Sequence, residues 1–141
     1  MKTLVHFLFS SVLALTFFPL FKWKTLLILA GGVLIDIDHY FWYILKYKDF
    51  NLINSYKFYT KNIETNNYTN VMGILLVFHT IEFLLAMIIL SFYFELALIF
   101  TIGLLLHYLL DFIFLYFVVK KPITNNSILS WYLKTKSKKF K

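Results

Sequence analysis

Cysteine and arginine are both absent from this 141-residue chain. Without cysteine there is no disulfide scaffold, no thiolate metal site and no thiol nucleophile. Charge is scarce as well. Only 15% of residues are charged and 60% are hydrophobic, against about 25% and about 45–50% in an ordinary soluble domain. A domain this small is mostly surface, so one buried core cannot absorb the excess. A soluble globular domain is therefore excluded, and so much apolar sequence equally excludes disorder. What remains is an integral membrane protein, one domain long. Its formal charge is +7, from fourteen lysines against seven acids. In so apolar a chain, a basic balance points to an anionic membrane face, and no nucleic-acid partner is expected.

Four apolar stretches approach the roughly 20 residues that a helix needs to span a bilayer. They run from about Thr3 to Phe21, Thr25 to Leu45, Val71 to Phe94 and Leu96 to Val119. A short basic turn, Lys22-Trp23-Lys24, joins the first two, and a tight turn near Glu95 joins the last two into an antiparallel hairpin. Lys2 before an apolar run is how a signal peptide begins. No small-x-small cleavage site follows, however, and the run continues through Pro19 to Phe21, so it is read as a retained span. The expected fold is all-α, an integral membrane four-helix bundle over residues 1–121 followed by a basic tail, 122–141.

Between the second and third spans lies Lys46 to Asn70, with six of the eight asparagines, four lysines and several aromatics. Its first half reads as an interfacial helix and the stretch around Asn66-Asn67 as a polar loop. The tail begins with the helix stop Pro122 and ends with Trp131-Tyr132 and a run of lysines. With four spans, the N-terminus, the middle loop and the tail share one side. Twelve lysines fall there, against Lys22 and Lys24 on the other. The positive-inside rule places that side, with both termini, in the cytoplasm of a cell (inner or plasma) membrane. The glycosylation-type sequons at Asn67 and Asn125 would then face the cytoplasm and are read as chance matches. The tail would rest on anionic headgroups, so membrane lipids are the expected partners.

All four histidines, His6, His39, His79 and His107, fall inside the apolar spans, as do four of the seven acids, Asp36, Asp38, Glu82 and Asp111. An acid at the centre of a spanning helix costs about 2.5–3.5 kcal/mol on insertion scales, so four would cost roughly 10 kcal/mol before pairing. No lysine lies with them, which leaves histidine or a bound cation as partner. On a regular helix His79 and Glu82 would project about 60° apart, and His107 and Asp111 about 40° apart. Asp36 and His39 share a face likewise, whereas Asp38 lies about 160° round from Asp36. Either the helix is distorted there, which Gly31-Gly32 just upstream makes accessible, or Asp38 stands behind the ligands or gates the site. At about 1.5 Å per residue, His6, Asp36, His39, His79, Glu82, His107 and Asp111 all fall in the cytoplasmic half of their spans.

Groups delivered to one layer by facing helices are how bundles build metal sites. A lone intramembrane histidine reads as a packing residue, and a lone His-x-x-Glu as chance; all four histidines at one depth, three beside acids, do not. Imidazole and carboxylate without thiolate suit zinc first, then manganese or iron. Eight candidate ligands exceed what one tetrahedral zinc uses, so two or more ions are expected. Tyr40, Tyr43 and Tyr108 are read as packing around the site, and Gly103 as a close helix contact.

An early His6, a Gly-Gly run into Asp36-Ile37-Asp38-His39, then His79, then Gly103 to His107-x-x-x-Asp111 resembles the membrane-bound metal-dependent hydrolases, the YdjM-like proteins. The resemblance spans about three quarters of the chain, His6 to Asp111. Ile35 stands where that family commonly has proline, and Glu82 follows His79 where the family has an arginine before it. More distantly, the histidine-acid spacing is similar to zinc-dependent phospholipase C and P1-type nucleases. The resemblance implies a metal-dependent hydrolase, with a lipid-like phosphoester as its expected substrate. His6, Asp36, His39, His79, His107 and Asp111 are the expected ligands, and Asp38 and Glu82 would bind metal or act as general base. A divalent-cation transporter or sensor would use the same residues. A bis-histidine haem bundle would explain the histidines but not the acids.

Overall fold

The computed structural model describes residues 3–65, 74–120 and 124–139, and it is mostly helical (88%). Seven α-helices appear among the described residues: α1 (Thr3–Phe21), α2 (Leu26–Val33), α3 (Ile37–Tyr47), α4 (Leu52–Glu64), α5 (Ile81–Ser91), α6 (Glu95–Phe114) and α7 (Ile128–Lys139). Two very short strands, β1 (Ile74–Leu75) and β2 (Thr124–Asn125), pair in parallel.

Among the described residues, two continuous helical stretches are long and apolar enough to cross a membrane: Thr3–Tyr47, of 45 residues, and Glu95–Val119, of 25. The first folds back on itself. Lys22 takes a left-handed φ of 50°, and the 3-10 turn Lys22–Thr25 reverses the chain. The Thr25 hydroxyl closes the turn by donating to the Lys22 carbonyl at 2.7 Å. α1 and α2 thus run antiparallel, and Thr3 Oγ1 meets Asp36 Oδ2 at 3.2 Å. On α1 only His6, Ser10 and Ala14 are buried. Their spacing of four puts them on one face, and the half-buried Leu13, Phe17 and Phe21 flank that stripe while the opposite side of the helix stays open.

α2 and α6 approach backbone to backbone. A Cβ at Gly103 would run into the Ile28 carbonyl, and one at Gly31 into the Phe100 carbonyl. Small residues permit this closeness, and Ile28, Ile99 and Leu104 are fully buried at the seam. α5 and α6 form the expected hairpin through a turn at Phe92–Phe94, and Thr101 Oγ1 reaches the Met87 carbonyl at 3.2 Å. Lys24 Nζ meets Glu95 Oε2 at 2.6 Å, which ties the tips of the two hairpins together at one end.

Two of the expected spans are not single helices. The second is interrupted at Val33, where φ falls to −131°, and continues through a 3-10 turn, Leu34–Asp36, into α3. The third, expected as one helix from Val71 to Phe94, is helical only over α5. Residues 74–80 form β1, an extended Leu76, a 3-10 turn (Val77–His79) and an extended Thr80 that caps α5 by accepting from Phe83 N. The reason is that this stretch finds tertiary partners for its backbone, so it needs no helical ladder. Phe78 N donates to Asp38, the Phe78 and Thr80 carbonyls both accept from the Tyr108 hydroxyl, and Ile81 N donates to Asn126 O. Residues 71–73 lie outside the described residues.

The middle segment does contain a helix, α4. Asn51 caps it by accepting from Ile53 N and Asn54 N, and Asp49 buttresses the cap through Asn51 N and Asn54 Nδ2. The loop expected at Asn66-Asn67 and the helix stop Pro122 lie outside the described residues. The tail forms α7, whose approach segment pairs with β1 in the register Ile74↔Thr124 and Leu75↔Asn125.

Candidate metal centre

Four parts of the chain deliver polar side chains to one cluster: the first turns of α1, the α2–α3 junction, the irregular segment before α5, and the second half of α6. At its centre are four atoms. His79 Nε2 and His107 Nε2 are 3.1 Å apart. Asp36 Oδ1 lies 3.5 Å from the first and 3.6 Å from the second. Asp111 Oδ2 lies 3.7 Å and 3.4 Å from them.

The outer nitrogens of both imidazoles fix what faces the centre. His79 Nδ1 is 3.0 Å from Asp38 Oδ2, and His107 Nδ1 is 2.9 Å from the Gly32 carbonyl oxygen. A carboxylate and a carbonyl only accept, so both Nδ1 atoms carry hydrogen. In the neutral imidazoles both Nε2 lone pairs then point inward, beside two carboxylate oxygens. Two imidazole nitrogens 3.1 Å apart, each 3.4–3.7 Å from both carboxylate oxygens, repel their neighbours unless a proton or a metal cation lies among them. A tetrahedral zinc with bonds of about 2.0–2.1 Å separates its ligand atoms by about 3.3–3.4 Å. The donor set and its spacing therefore fit a small divalent ion.

The remaining groups sit around this quartet. His6 Nε2 is 3.1 Å from Asp111 Oδ1, and its ring stacks on His107 at 3.8 Å and 12°. His39 Nε2 is 3.7 Å from Asp36 Oδ1, and its ring meets those of His79 and Tyr59 edge-on. Tyr59 donates its hydroxyl to the His39 carbonyl at 3.0 Å. Three overlapping groups have ligand atoms within 4.8 Å of one another: His6, His107 and Asp111; Asp36, His79 and His107; Asp38, His39 and His79. His6 and His107 are fully buried.

Seven of the eight expected site residues thus converge. Asp36 and Asp38 both reach the cluster because the 3-10 turn before α3 re-aims the chain between them. Asp38 engages the outer nitrogen of His79 and the Phe78 amide, behind the imidazole rather than among the central atoms. Glu82 is the exception. Its Oε1 accepts from Ser127 Oγ at 2.7 Å and Leu129 N at 3.3 Å, so it holds the start of α7. The helical spacing expected to align it with His79 does not apply, because His79 sits in a 3-10 turn and Thr80 is extended. The sequence reading also missed Gly32, whose contribution is a backbone carbonyl that no side-chain pattern announces.

A cavity of about 500 Å³ opens beside the cluster. Asp36, His39, His79 and Asp111 line its polar end. Apolar residues from the α2–α3 junction, α4, the β1 segment and the end of α6 form its walls, among them Leu34, Leu52, Leu76 and Phe114. This size is typical of a small-molecule site. In comparisons with known proteins, no family model matches the chain, and no curated protein or solved structure matches it at a significant level.

Proposed function

We propose that this chain is a membrane-embedded metal-dependent hydrolase that acts on a lipid-like phosphoester near the cytoplasmic leaflet, in keeping with its resemblance to the YdjM-like proteins. The observation that carries the proposal is the inward-facing quartet of Asp36, His79, His107 and Asp111, in which the two imidazole nitrogens are 3.1 Å apart and each lies 3.4–3.7 Å from both carboxylates. A second ion would share Asp111 with His6, whose Nε2 lies 3.1 Å from Asp111 Oδ1.

The membrane reading rests on the apolar surface. Large side chains are exposed along the helices, including Leu15 at 72%, Leu20 at 73% and Phe92 at 81%. Exposed apolar patches of this extent require lipid or a protein partner. α1, α2 with α3, α5 and α6 then form the four-helix bundle, multi-pass, with both termini cytoplasmic. The irregular residues 74–80 are compatible with membrane depth because protein partners satisfy their backbone groups.

Bound there, zinc would neutralise phosphate charge and raise the acidity of water. The residues of the chain have separable tasks. Asp38 and Gly32 hold the two imidazoles in the tautomer that presents Nε2 to the centre. His39, 28% exposed beside the cavity, accepts the proton of the attacking water. A P–O bond to water forms, the ester P–O bond breaks, and the leaving oxygen takes back the proton held by His39, so that the lipid alcohol departs along the apolar walls. Asp38 and Glu82 do not line the cavity, so the proton-accepting role moves from them to His39.

Elemental analysis of the purified protein, followed by a phosphoester and lipid activity screen, tests this reading. At least one zinc per chain is expected, with loss of both metal and activity in His107→Ala. Metal content near zero, unchanged by that substitution, overturns it. Metal flux into proteoliposomes without phosphoesterase activity would instead favour a transporter.

A further inference from the structure

His79 is the one inward-facing ligand outside the two long helical stretches, in a 3-10 turn followed by the extended Thr80; Asp38 and Tyr108 hold the turn itself, and the C-terminal part of the chain holds what flanks it. β1 pairs with β2, Ile81 N donates to Asn126 O at 2.8 Å, and Glu82 Oε1 takes up Ser127 Oγ and Leu129 N. These contacts fall on both sides of His79 in sequence. The other oxygen of Glu82, Oε2, is buried with no hydrogen-bond partner among the described residues. A buried carboxylate kept at this point makes the junction costly to lose and sensitive to where α7 sits.

α7 has a surface suited to one kind of partner. Leu129, Tyr132 and Leu133 share an exposed apolar face, 64%, 56% and 56% open. The helix carries Lys134, Lys136, Lys138 and Lys139 and no acid. An exposed apolar face on a helix with four lysines and no acid fits the interface of an anionic lipid leaflet.

We propose that α7 docks on anionic lipid headgroups and that this docking is transmitted through the Glu82 latch to the segment that carries His79. An anionic leaflet thereby orders one side of the metal centre. The proposal rests on the membrane reading above but not on any ion being bound.

The test uses the full chain in nanodiscs, made either of phosphatidylcholine alone or with added phosphatidylglycerol. Hydrogen exchange is followed at the Ile81 and Leu129 amides, which report the junction, and Trp131 fluorescence reports the seating of α7. The expected result is about tenfold slower exchange with phosphatidylglycerol, the scale of one hydrogen bond to a charged group. Glu82→Ala should abolish that difference while the Trp131 response persists. Ser127→Ala, which removes only the shorter bond, should reduce it. Lys134→Gln with Lys136→Gln should weaken both signals. Equal exchange in the two lipids, or a full lipid effect surviving in both Glu82→Ala and Ser127→Ala, overturns the coupling. Failure to enter either nanodisc would instead overturn the membrane reading.

Discussion

Asp38→Ala separates an imidazole-orienting carboxylate from a metal ligand. Asp38 is buried and accepts two bonds on one oxygen, from His79 Nδ1 at 3.0 Å and Phe78 N at 3.1 Å. Truncation frees the His79 ring to rotate and to move its hydrogen to Nε2, where it would face the other ligands. Loss of such an outer partner typically costs 10–100-fold in metal affinity, equivalent to about 1.4–2.8 kcal/mol. Asp38→Asn retains an oxygen for both donors and gives up only the charge, so its loss should fall near the lower figure. His79→Ala removes a ligand and should exceed both. Cobalt(II) titration followed by zinc competition on detergent-solubilised protein gives the ranking, and a melting curve for each variant checks the fold. Wild-type affinity in Asp38→Ala alongside lost binding in His79→Ala would refute the orienting role. Wild-type affinity in all three would refute the quartet itself.

Gly103→Leu should separate α2 from α6, because its side chain would meet the Ile28 backbone; overpacking typically costs about 1–3 kcal/mol, visible as a lower unfolding midpoint in mixed micelles. Asn51→Ala should destabilise α4 by about 1 kcal/mol through loss of its cap, read as faster amide exchange over residues 52–55. The Asn51 amide and the Asn54 side chain hold the Asp49 carboxyl below its ordinary range. Its contribution to the α3–α4 corner is therefore present above about pH 4 and lost as pH falls through the lowered value. NMR titration of that corner should show the loss, and Asp49→Asn should remove the dependence. Zinc at 100 times its Kd should raise stability by about 2.7 kcal/mol, and a chelator should reverse the shift.

The apolar runs made the helical character and both hairpins legible, and the lysines between those runs and the acids within them marked the turns and the site. His107 and Asp111 were readable because α6 is regular across them, and both reach the centre. Glu82 was misread for the opposite reason. The run from Ile74 to Phe78 is equally apolar as helix, strand or 3-10 turn, and what decides it is Tyr108, Asp38 and Asn126, remote in sequence. The break that brings Asp36 and Asp38 together lies at Val33–Asp36, just beyond the two glycines that suggested it.

His6 and Asp111 meet at 3.1 Å although 105 residues separate them, and the segment bearing His79 takes part of its support from residues near 126. During synthesis the first hairpin can fold early, but the ligand sphere cannot be complete until nearly the whole chain has emerged. Any metal the proposed centre takes up would then be captured late, and a chain stalled after α6 would have its first six helices yet lack a finished centre.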